Sequence, residues 1–448
     1  MGLKHSFKYS RRKDAKDFIG FGLSEDVKNW INQLKYFLYG VRRYHDDRRV
    51  MGTLQIDLAS AIKITQDFRQ QARAELDKLI GKEEPTEKQR KDNRFIDGWA
   101  RAEGACTIVN NALFDILDGV AWRFYNYDRC FLVAAAKEAS NSIIQLDKGF
   151  INELEYWINL THNNDYENIL FNGITRSFNI GDFSVMLDND EIKIWELKTN
   201  VSPHGKAMRE RRERQNQKMD NFAKLFNERV GFSEGVDVQI IDSEIDLMSD
   251  LPKLCGLIDE RLESDGYFSG PINEYCVAVV LNVSKKFKED DVSAILEAGT
   301  STMNNEWGKD DKRVNQVIPT FFKKTPNVAP ISLWPLCENS VISILTQRYV
   351  CVLWYNLSEI ERIIERSGWK VIYSAFQSGG LDIKKSPIHI RKGSLNIDIP
   401  WTGVNRITSE LMRPETILLQ INEEIYKKGP CDERNILLGF KQEPTLWW

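Results

Sequence analysis

The sequence predicts an α/β protein in three parts, and three observations support this. The first third has the apolar spacing of amphipathic helices, residues 181–200 have the pattern of a β-hairpin, and helical and strand patterns alternate beyond residue 283. The expected organisation is a helical N-terminal region at 1–147, a mixed α/β core at 148–283 and an α/β C-terminal region at 284–448. A length of 448 residues is enough for two or three domains.

The composition is that of a soluble globular protein, with 42% hydrophobic and 28% charged residues. Neither a membrane span nor a signal peptide is recognisable, so we expect a cytoplasmic protein without a membrane partner. The seven cysteines form no C-x-x-C pair, which predicts reduced, mostly buried thiols rather than a zinc ribbon or a disulfide scaffold. The five histidines lie far apart, which argues against a histidine-rich metal site.

The N-terminal region is predicted to be helical throughout. Ser24 is a suitable N-cap for a first helix that extends to about Val41, and further helices are expected at 53–80, 94–117 and 131–146. A polar loop at 81–92 separates the second helix from the third. The sequence does not choose among a scaffold, a dimerisation surface and a DNA clamp for this region.

The hairpin at 181–200 contains the candidate site. Two apolar runs, 183–187 and 192–197, flank the polar turn 188–191, and the second run alternates with a period of two. In an antiparallel pair the start of one strand lies beside the end of the other, so Asp182 is expected to approach Glu196 and Lys198. Glu196 and Lys198 are two residues apart and therefore share one face of their strand.

Two carboxylates and a lysine suit metal-assisted phosphate chemistry. Mg²⁺ prefers a few carboxylate oxygens and retains several water molecules, and a lysine can orient a metal-bound water or stabilise charge on a phosphate. The pattern Gly181-Asp182, a hairpin, then Glu196-Leu197-Lys198 resembles the PD-(D/E)xK nuclease superfamily, with Gly181 in place of the usual proline. The resemblance implies a restriction-endonuclease-like mixed-sheet core. It also implies that Asp182 and Glu196 bind Mg²⁺ or Mn²⁺ and that Lys198 assists the attacking water.

The tripeptide alone carries little information, because the (D/E)-x-K pattern also occurs elsewhere in the chain, for example at 26–28, 191–193, 310–312 and 382–384. Only Glu196-Leu197-Lys198 ends an apolar strand and follows a Gly-Asp that opens another strand. The alternative interpretation is an ordinary hairpin with solvated charges.

The elements around the hairpin also fit the resemblance. A helix at 151–160 precedes it, and Glu153, Glu155 or Glu167 is a candidate for a further acidic site residue, the alternative being surface glutamates. A first strand is expected within 168–178. A long helix at 206–229 follows the hairpin and has one basic face, which suits contacts with a nucleic-acid backbone. Apolar runs at 238–241 and 276–281, separated by a helix at 251–262, are predicted to complete the central sheet.

The C-terminal region is predicted to alternate between strands and helices. Helices are expected at 358–367 and at 405–426, the latter interrupted at Pro414, and strands at 317–322, 341–345, 349–355, 371–374 and 388–390. No G-x-x-x-x-G-K-[ST] motif occurs, so an NTPase is not expected.

The function hypothesis is a divalent-metal-dependent endonuclease acting on nucleic acid, with DNA as the expected substrate. The resemblance further implies a role in restriction or antiviral defence. The net charge of −4 requires that phosphates be bound by local basic patches. A freely active nuclease would harm its own cell, so we also expect control by a regulatory protein partner, a ligand or a homo-oligomer. Two alternatives from other classes are a catalytically silent nuclease-fold protein that binds nucleic acid or a partner, and a purely structural interaction protein.

Overall fold

The chain is a mixed α/β protein, as predicted. The computed structural model describes residues 25–43, 48–80, 87–132, 152–157, 159, 168–175, 180–187, 189–197, 206–233, 236–243, 245–262, 264–282, 289–307, 311, 313–318, 329–374, 388–399, 401–428 and 435–440. None of the helices in these ranges combines the length and the apolar character that crossing a lipid bilayer requires. The described cysteines are free thiols, and all except Cys337 are buried.

The chain divides into two compact units. The first comprises Met1–Leu117 and Ile144–Asn168, and the second comprises Asp118–Ile143 and Ile169–Trp448. In the first unit, α1 (Glu25–Arg43) packs against α2 (Arg48–Ile80), and α3 (Glu87–Phe124) begins in this unit. The predicted helical N-terminal region is therefore confirmed for these three helices. The expected helix at 131–146 lies largely outside the described residues.

The hairpin forms as predicted and belongs to a three-stranded antiparallel sheet. The strands β1 (Ile169–Phe171), β2 (Phe183–Met186) and β3 (Ile192–Trp195) lie in that order. In the turn, Leu187 N–H donates to the Glu191 carbonyl at 2.8 Å and Asp190 N–H donates to the Leu187 carbonyl at 3.0 Å. Asp190 has a φ of +62°, a value that Asn and Asp tolerate better than most residues.

The helix α4 (Lys206–Glu228) follows the hairpin, within one residue of its predicted bounds. It packs against β3 and against β4 (Val230–Ser233), the strand that comes next in the chain. β4 pairs in antiparallel fashion with β5 (Val236–Ser243), and these two strands belong to a second three-stranded sheet.

A third sheet forms the most deeply buried part of the second unit. Its antiparallel order is β6 (Tyr267–Asn273), β7 (Cys276–Asn282), β9 (Tyr349–Asn356) and β8 (Arg313–Ile318). Every residue of β7 is buried. The helices α5 (Leu251–Arg261) and α6 (Glu289–Glu306) both pack on β6, and α6 also packs on β7.

Residues 341–345 are helical, so the strand predicted there is wrong. They form the end of α7 (Glu338–Leu345), which packs on β9. A short run of buried apolar residues has no periodicity with which to distinguish a buried helix from a buried strand. The predicted strands at 349–355, 371–374 and 388–390 are confirmed.

The remaining elements complete the second unit. α8 (Leu357–Arg366) packs on β10 (Lys370–Ser374), which forms a small antiparallel sheet with β11 (Ile388–Lys392) and β12 (Leu395–Ile399). α9 (Trp401–Ser409) and α10 (Pro414–Lys428) confirm the predicted interruption before Pro414. The last strand, β13 (Asn435–Phe440), pairs in parallel with β5.

The strands at 238–241 and 276–281 do not complete the hairpin's sheet, so this expectation is wrong for the described residues. The first lies in β5, between β4 and β13, and the second lies in β7, between β6 and β9. Both runs do form strands, and each pairs with its neighbour in the sequence on one side and with a distant strand, β13 or β9, on the other.

Candidate active site

Asp182 and Glu196 lie at corresponding positions of the two hairpin strands. Phe183 pairs with Trp195, so each carboxylate is one residue beyond the same cross-strand pair. Asp182 directly precedes β2 and Glu196 directly follows β3, because the antiparallel hairpin brings these two ends together. Both residues are partly exposed, so solvent reaches this end of the hairpin.

Asp182 is hydrogen-bonded to both residues that flank Glu196. Its N–H donates to the Trp195 carbonyl at 2.7 Å, and its carboxylate oxygen Oδ2 accepts the Leu197 N–H at 2.5 Å. These two bonds fix the backbone on either side of Glu196 relative to Asp182. The backbone of Glu196 is therefore held next to Asp182, at the open end of the hairpin.

A buried polar network supports the loop that carries Asp182. Asn172 donates its backbone N–H to the Asp182 carbonyl and its side-chain Nδ2–H to the Ile180 carbonyl, both at 2.9 Å. The Tyr125 hydroxyl donates to Ser184 Oγ at 2.6 Å, and Ser184 Oγ in turn donates to Asn172 Oδ1 at 3.1 Å. Burial raises the pKa of the Tyr125 hydroxyl above its usual range, so the phenol stays neutral and remains a donor.

Gly181 is required by the backbone at this point. Its φ is +63°, in the left-handed region where glycine has no steric penalty. A Cβ at this position would lie 2.8 Å from the Trp195 carbonyl oxygen and 2.6 Å from Ile194 Cγ2. Gly181 thus allows β3 to approach the loop that positions Asp182.

The helix α4 runs beside the same end of the hairpin. A Cβ at Gly181 would be 3.0 Å from Met219 Sδ, so Met219 marks where α4 passes the candidate site. At the turn end of the hairpin, Asn227 binds both backbone groups of Ile192. Its Oδ1 accepts the Ile192 N–H at 2.9 Å and its Nδ2 donates to the Ile192 carbonyl at 3.2 Å. The helix and β3 are therefore antiparallel and in a fixed register.

A second asparagine of α4 makes the same contact with the next sheet. Asn221 Oδ1 accepts the Phe232 N–H at 2.7 Å, and Asn221 Nδ2 donates to the Phe232 carbonyl. Phe232 belongs to β4, an edge strand of its sheet, as β3 is of the hairpin's sheet. We refer to these two contacts as the asparagine clamps. They satisfy backbone groups of two edge strands and fix α4 against both sheets.

The carboxylate oxygens of Asp182 and Glu196 are ligands of the kind that hard divalent cations prefer. Two carboxylates beside solvent suit Mg²⁺ or Mn²⁺, which retain several water ligands. The Leu197 N–H that binds Asp182 provides the kind of hydrogen bond that orients carboxylate ligands in metal sites. Within the described ranges, no group of three or more Asp, Glu, His or Cys side chains is placed to hold a metal ion.

The other predicted site residues are not joined to this pair by the structure. Lys198 and Glu167 lie outside the described residues. Glu153 is partly buried and Glu155 is exposed, and both belong to the first unit. The structure therefore describes two of the three predicted catalytic residues, Asp182 and Glu196.

Sequence reasoning missed the residues that support the site. The dipeptide Asn172-Gly173 is typical of a turn, but Asn172 is a buried amide that binds the Ile180 carbonyl and Ser184 Oγ, which lie 8 and 12 residues further along the chain. Ser184 and Tyr125 have no local pattern that predicts their bond across 59 residues. The asparagine clamps likewise depend on which strands become edges, and this is not a local property.

Comparisons with protein-family models, curated proteins and solved structures found no match. The geometry of this chain therefore provides the evidence for a functional proposal. Its central feature is an acidic pair held at the open end of a β-hairpin.

Proposed function

We propose that the chain is a divalent-metal-dependent nuclease that hydrolyses phosphodiester bonds, with DNA as substrate. The observation that carries the proposal is the pair of hydrogen bonds that tie Asp182 to both neighbours of Glu196. The Asp182 N–H bond is main-chain pairing of the kind that any hairpin makes, whereas the carboxylate bond to the Leu197 N–H also orients the Asp182 side chain. A metal site needs such orientation, because its ligands must hold their geometry before the ion binds.

Each residue of the proposed site has one role. Asp182 and Glu196 would hold Mg²⁺ or Mn²⁺, and Lys198 would orient the attacking water or stabilise charge on the phosphate. The bound ion would supply Lewis acidity and a water of lowered pKa. The Asn172–Ser184–Tyr125 network would keep the Asp182 loop in place during the reaction. The hairpin sheet β1–β3 would then be part of a restriction-endonuclease-like core, and restriction or antiviral defence the setting.

The test is cleavage of plasmid and linear DNA by the purified protein with Mg²⁺ or Mn²⁺ and with EDTA. We expect cleavage with either metal and none with EDTA. Asp182→Asn retains an oxygen that accepts the Leu197 N–H but removes a charged ligand, so its effect reports the charge and not the fold. This variant and Glu196→Gln are each expected to lower the cleavage rate by at least about a hundredfold.

The hairpin contains its own matched control. Glu191-Ile192-Lys193 has the same acid-x-lysine spacing as Glu196-Leu197-Lys198, but its charged side chains are exposed at the turn end. Glu191→Gln with Lys193→Ala should leave cleavage unchanged, whereas Glu196→Gln with Lys198→Ala should abolish it. Equal effects of the two double variants would contradict the proposed site.

Titration of Mn²⁺ into the protein separates the alternatives. Loss of Mn²⁺ binding in Asp182→Asn without cleavage by the wild type would indicate a metal-binding protein that requires an activator. DNA binding without metal binding or cleavage would instead identify a silent nuclease-fold protein. A protein that neither binds Mn²⁺, binds DNA nor cleaves it would fit the third alternative, a structural interaction protein.

A further inference from the structure

A stretch near the start of α4 is exposed on every side of the helix. Residues 209–214 are all exposed, and they include four arginines and two glutamates. Six consecutive residues cover more than one full turn of 3.6 residues, so no side of the helix is buried there. In contrast, Phe222 and Leu225 in the second half are buried. We call residues 209–214 the basic arm.

Two of the four arginines of the basic arm lie on a different face from its glutamates, and Arg209 and Arg214 lie at the edges between the two faces. Successive residues of an α-helix are about 100° apart, so Arg211 and Arg212 lie on the side of α4 that carries Met219 and Phe222. Glu210 and Glu213 fall on the opposite side, which faces solvent along the packed half of the helix. The basic side of the arm therefore continues the side that packs against the hairpin and the aromatic core.

The helix α4 passes the candidate site, and the basic arm is its continuation on the far side of the site from the Asn227 clamp. The Asn227 clamp lies at the turn end of the hairpin, and Met219 lies at Gly181, next to Asp182. Continuing from Met219 toward the helix N-terminus, a rise of 1.5 Å per residue places Arg212 and Arg211 about 10 to 12 Å past the site. The asparagine clamps hold α4 in this direction.

We infer that the basic arm is a second DNA-binding element, which holds the phosphate backbone about three base pairs from the bond cleaved at the Asp182–Glu196 pair. This inference rests on the proposed function for the choice of DNA and for the position of the cleaved bond. Arginine suits the role because its guanidinium group binds phosphate oxygens with paired hydrogen bonds. A chain with a net charge of −4 requires such a local patch to retain a polyanion.

The experiment measures the affinity of the full-length protein for a fluorescently labelled DNA duplex in EDTA over a range of salt concentrations. The test variant is Arg211→Gln with Arg212→Gln. The control, Lys193→Gln with Lys224→Gln, removes the same charge from exposed residues elsewhere on the hairpin and on α4. All four side chains are exposed, so the variants are expected to fold normally, which circular dichroism checks.

The arm variant is expected to bind DNA at least about tenfold more weakly. The slope of log affinity against log salt concentration should decrease by about two, because each phosphate that a side chain neutralises contributes about 0.9 to that slope. The control should bind like the wild type. Equal weakening in both variants would show that bulk charge alone is responsible and would overturn the inference, as would an arm variant that retains the wild-type affinity.

Cleavage distinguishes this inference from the proposed function. Cleavage that requires Glu196 but is insensitive to the arm variant at limiting DNA would overturn the inference and leave the proposed function intact. Arm-dependent binding without cleavage under any metal condition would overturn the proposed function and leave only the binding of DNA by the arm. A wild-type protein that binds no duplex DNA would overturn the inference directly.

Discussion

A proline cannot occupy position 181 of this hairpin. Proline fixes φ near −65°, whereas residue 181 has a φ of +63°. The local backbone therefore explains why this position is a glycine. At the scale of single residues, the position of Asp182 depends on Gly181, because any side chain at position 181 would collide with β3.

Gly181→Ala is expected to destabilise the protein by about 2 kcal/mol or more, because it combines an unfavourable φ with contact against the Trp195 carbonyl oxygen. Gly393→Ala is the control. Gly393 also has a positive φ, +61°, but no atom lies within 4 Å of its added Cβ, so about 1 kcal/mol is expected. Urea unfolding measures both. Equal losses would show that the close approach at Gly181 has no energetic consequence.

At the scale of elements, α4 joins two sheets through side-chain amides. Each of the asparagine clamps places a primary amide against the N–H and carbonyl of one residue, as a neighbouring strand would do. Exposed edge strands otherwise offer these groups to other chains. The helix therefore both positions the basic arm and protects the edges of β3 and β4.

Removing the Asn227 clamp should release the edge of β3. Asn227→Ala is expected to lower the free energy of unfolding by about 1 kcal/mol and to accelerate hydrogen exchange of the Ile192 amide, since that N–H loses its acceptor. Lys224→Ala, an exposed change on the same helix, should leave this amide unaffected. Unchanged exchange at Ile192 would mean that the clamp does not protect the strand in solution.

At the scale of the whole molecule, a buried ion cluster connects distant segments of the second unit. Arg129 Nη2 lies 2.7 Å from Glu410 Oε2, and both side chains are only 3% exposed. Arg406 Nε lies 3.6 Å from the same carboxylate oxygen. The other oxygen of Glu410 accepts the Ala329 N–H at 2.8 Å. Glu410 thus links the segment before the hairpin to α9 and to the residues preceding α7.

Glu410→Gln tests this cluster, because it keeps an acceptor for Ala329 N–H but removes the negative charge that faces two buried arginines. We expect the free energy of unfolding of the second unit to decrease by about 3 to 5 kcal/mol. Denaturant unfolding monitored by tryptophan fluorescence measures this change. Asp67→Asn, in the exposed Lys63–Asp67 pair, should change stability by less than about 1 kcal/mol. A similarly small effect at position 410 would contradict a structural role for the buried cluster.

Local patterns predicted the local structure well. The hairpin, α4, α5, α8 and the break before Pro414 each follow from periodicity, turn residues or a proline within one short stretch. The partners of β5 and β7 are not predictable in this way, because β13 joins β5 from nearly 200 residues further along the chain. Likewise, the hairpin pattern predicted that Asp182 and Glu196 lie at the same end of the hairpin, but the Tyr125, Asn172 and Ser184 network depends on tertiary packing.

The spacing of the asparagine clamps also determines where this helix can change length. One residue inserted between Asn221 and Asn227 would rotate one amide by about 100° relative to the other, so that only one strand edge could remain bound. Insertions before Met219 leave both amides and the Met219 approach to Gly181 in register, and they lengthen the exposed half of the helix while rotating the arm by about 100° per residue. Natural variation or engineering can therefore alter how far the arm extends in steps of about 1.5 Å without moving the acidic pair.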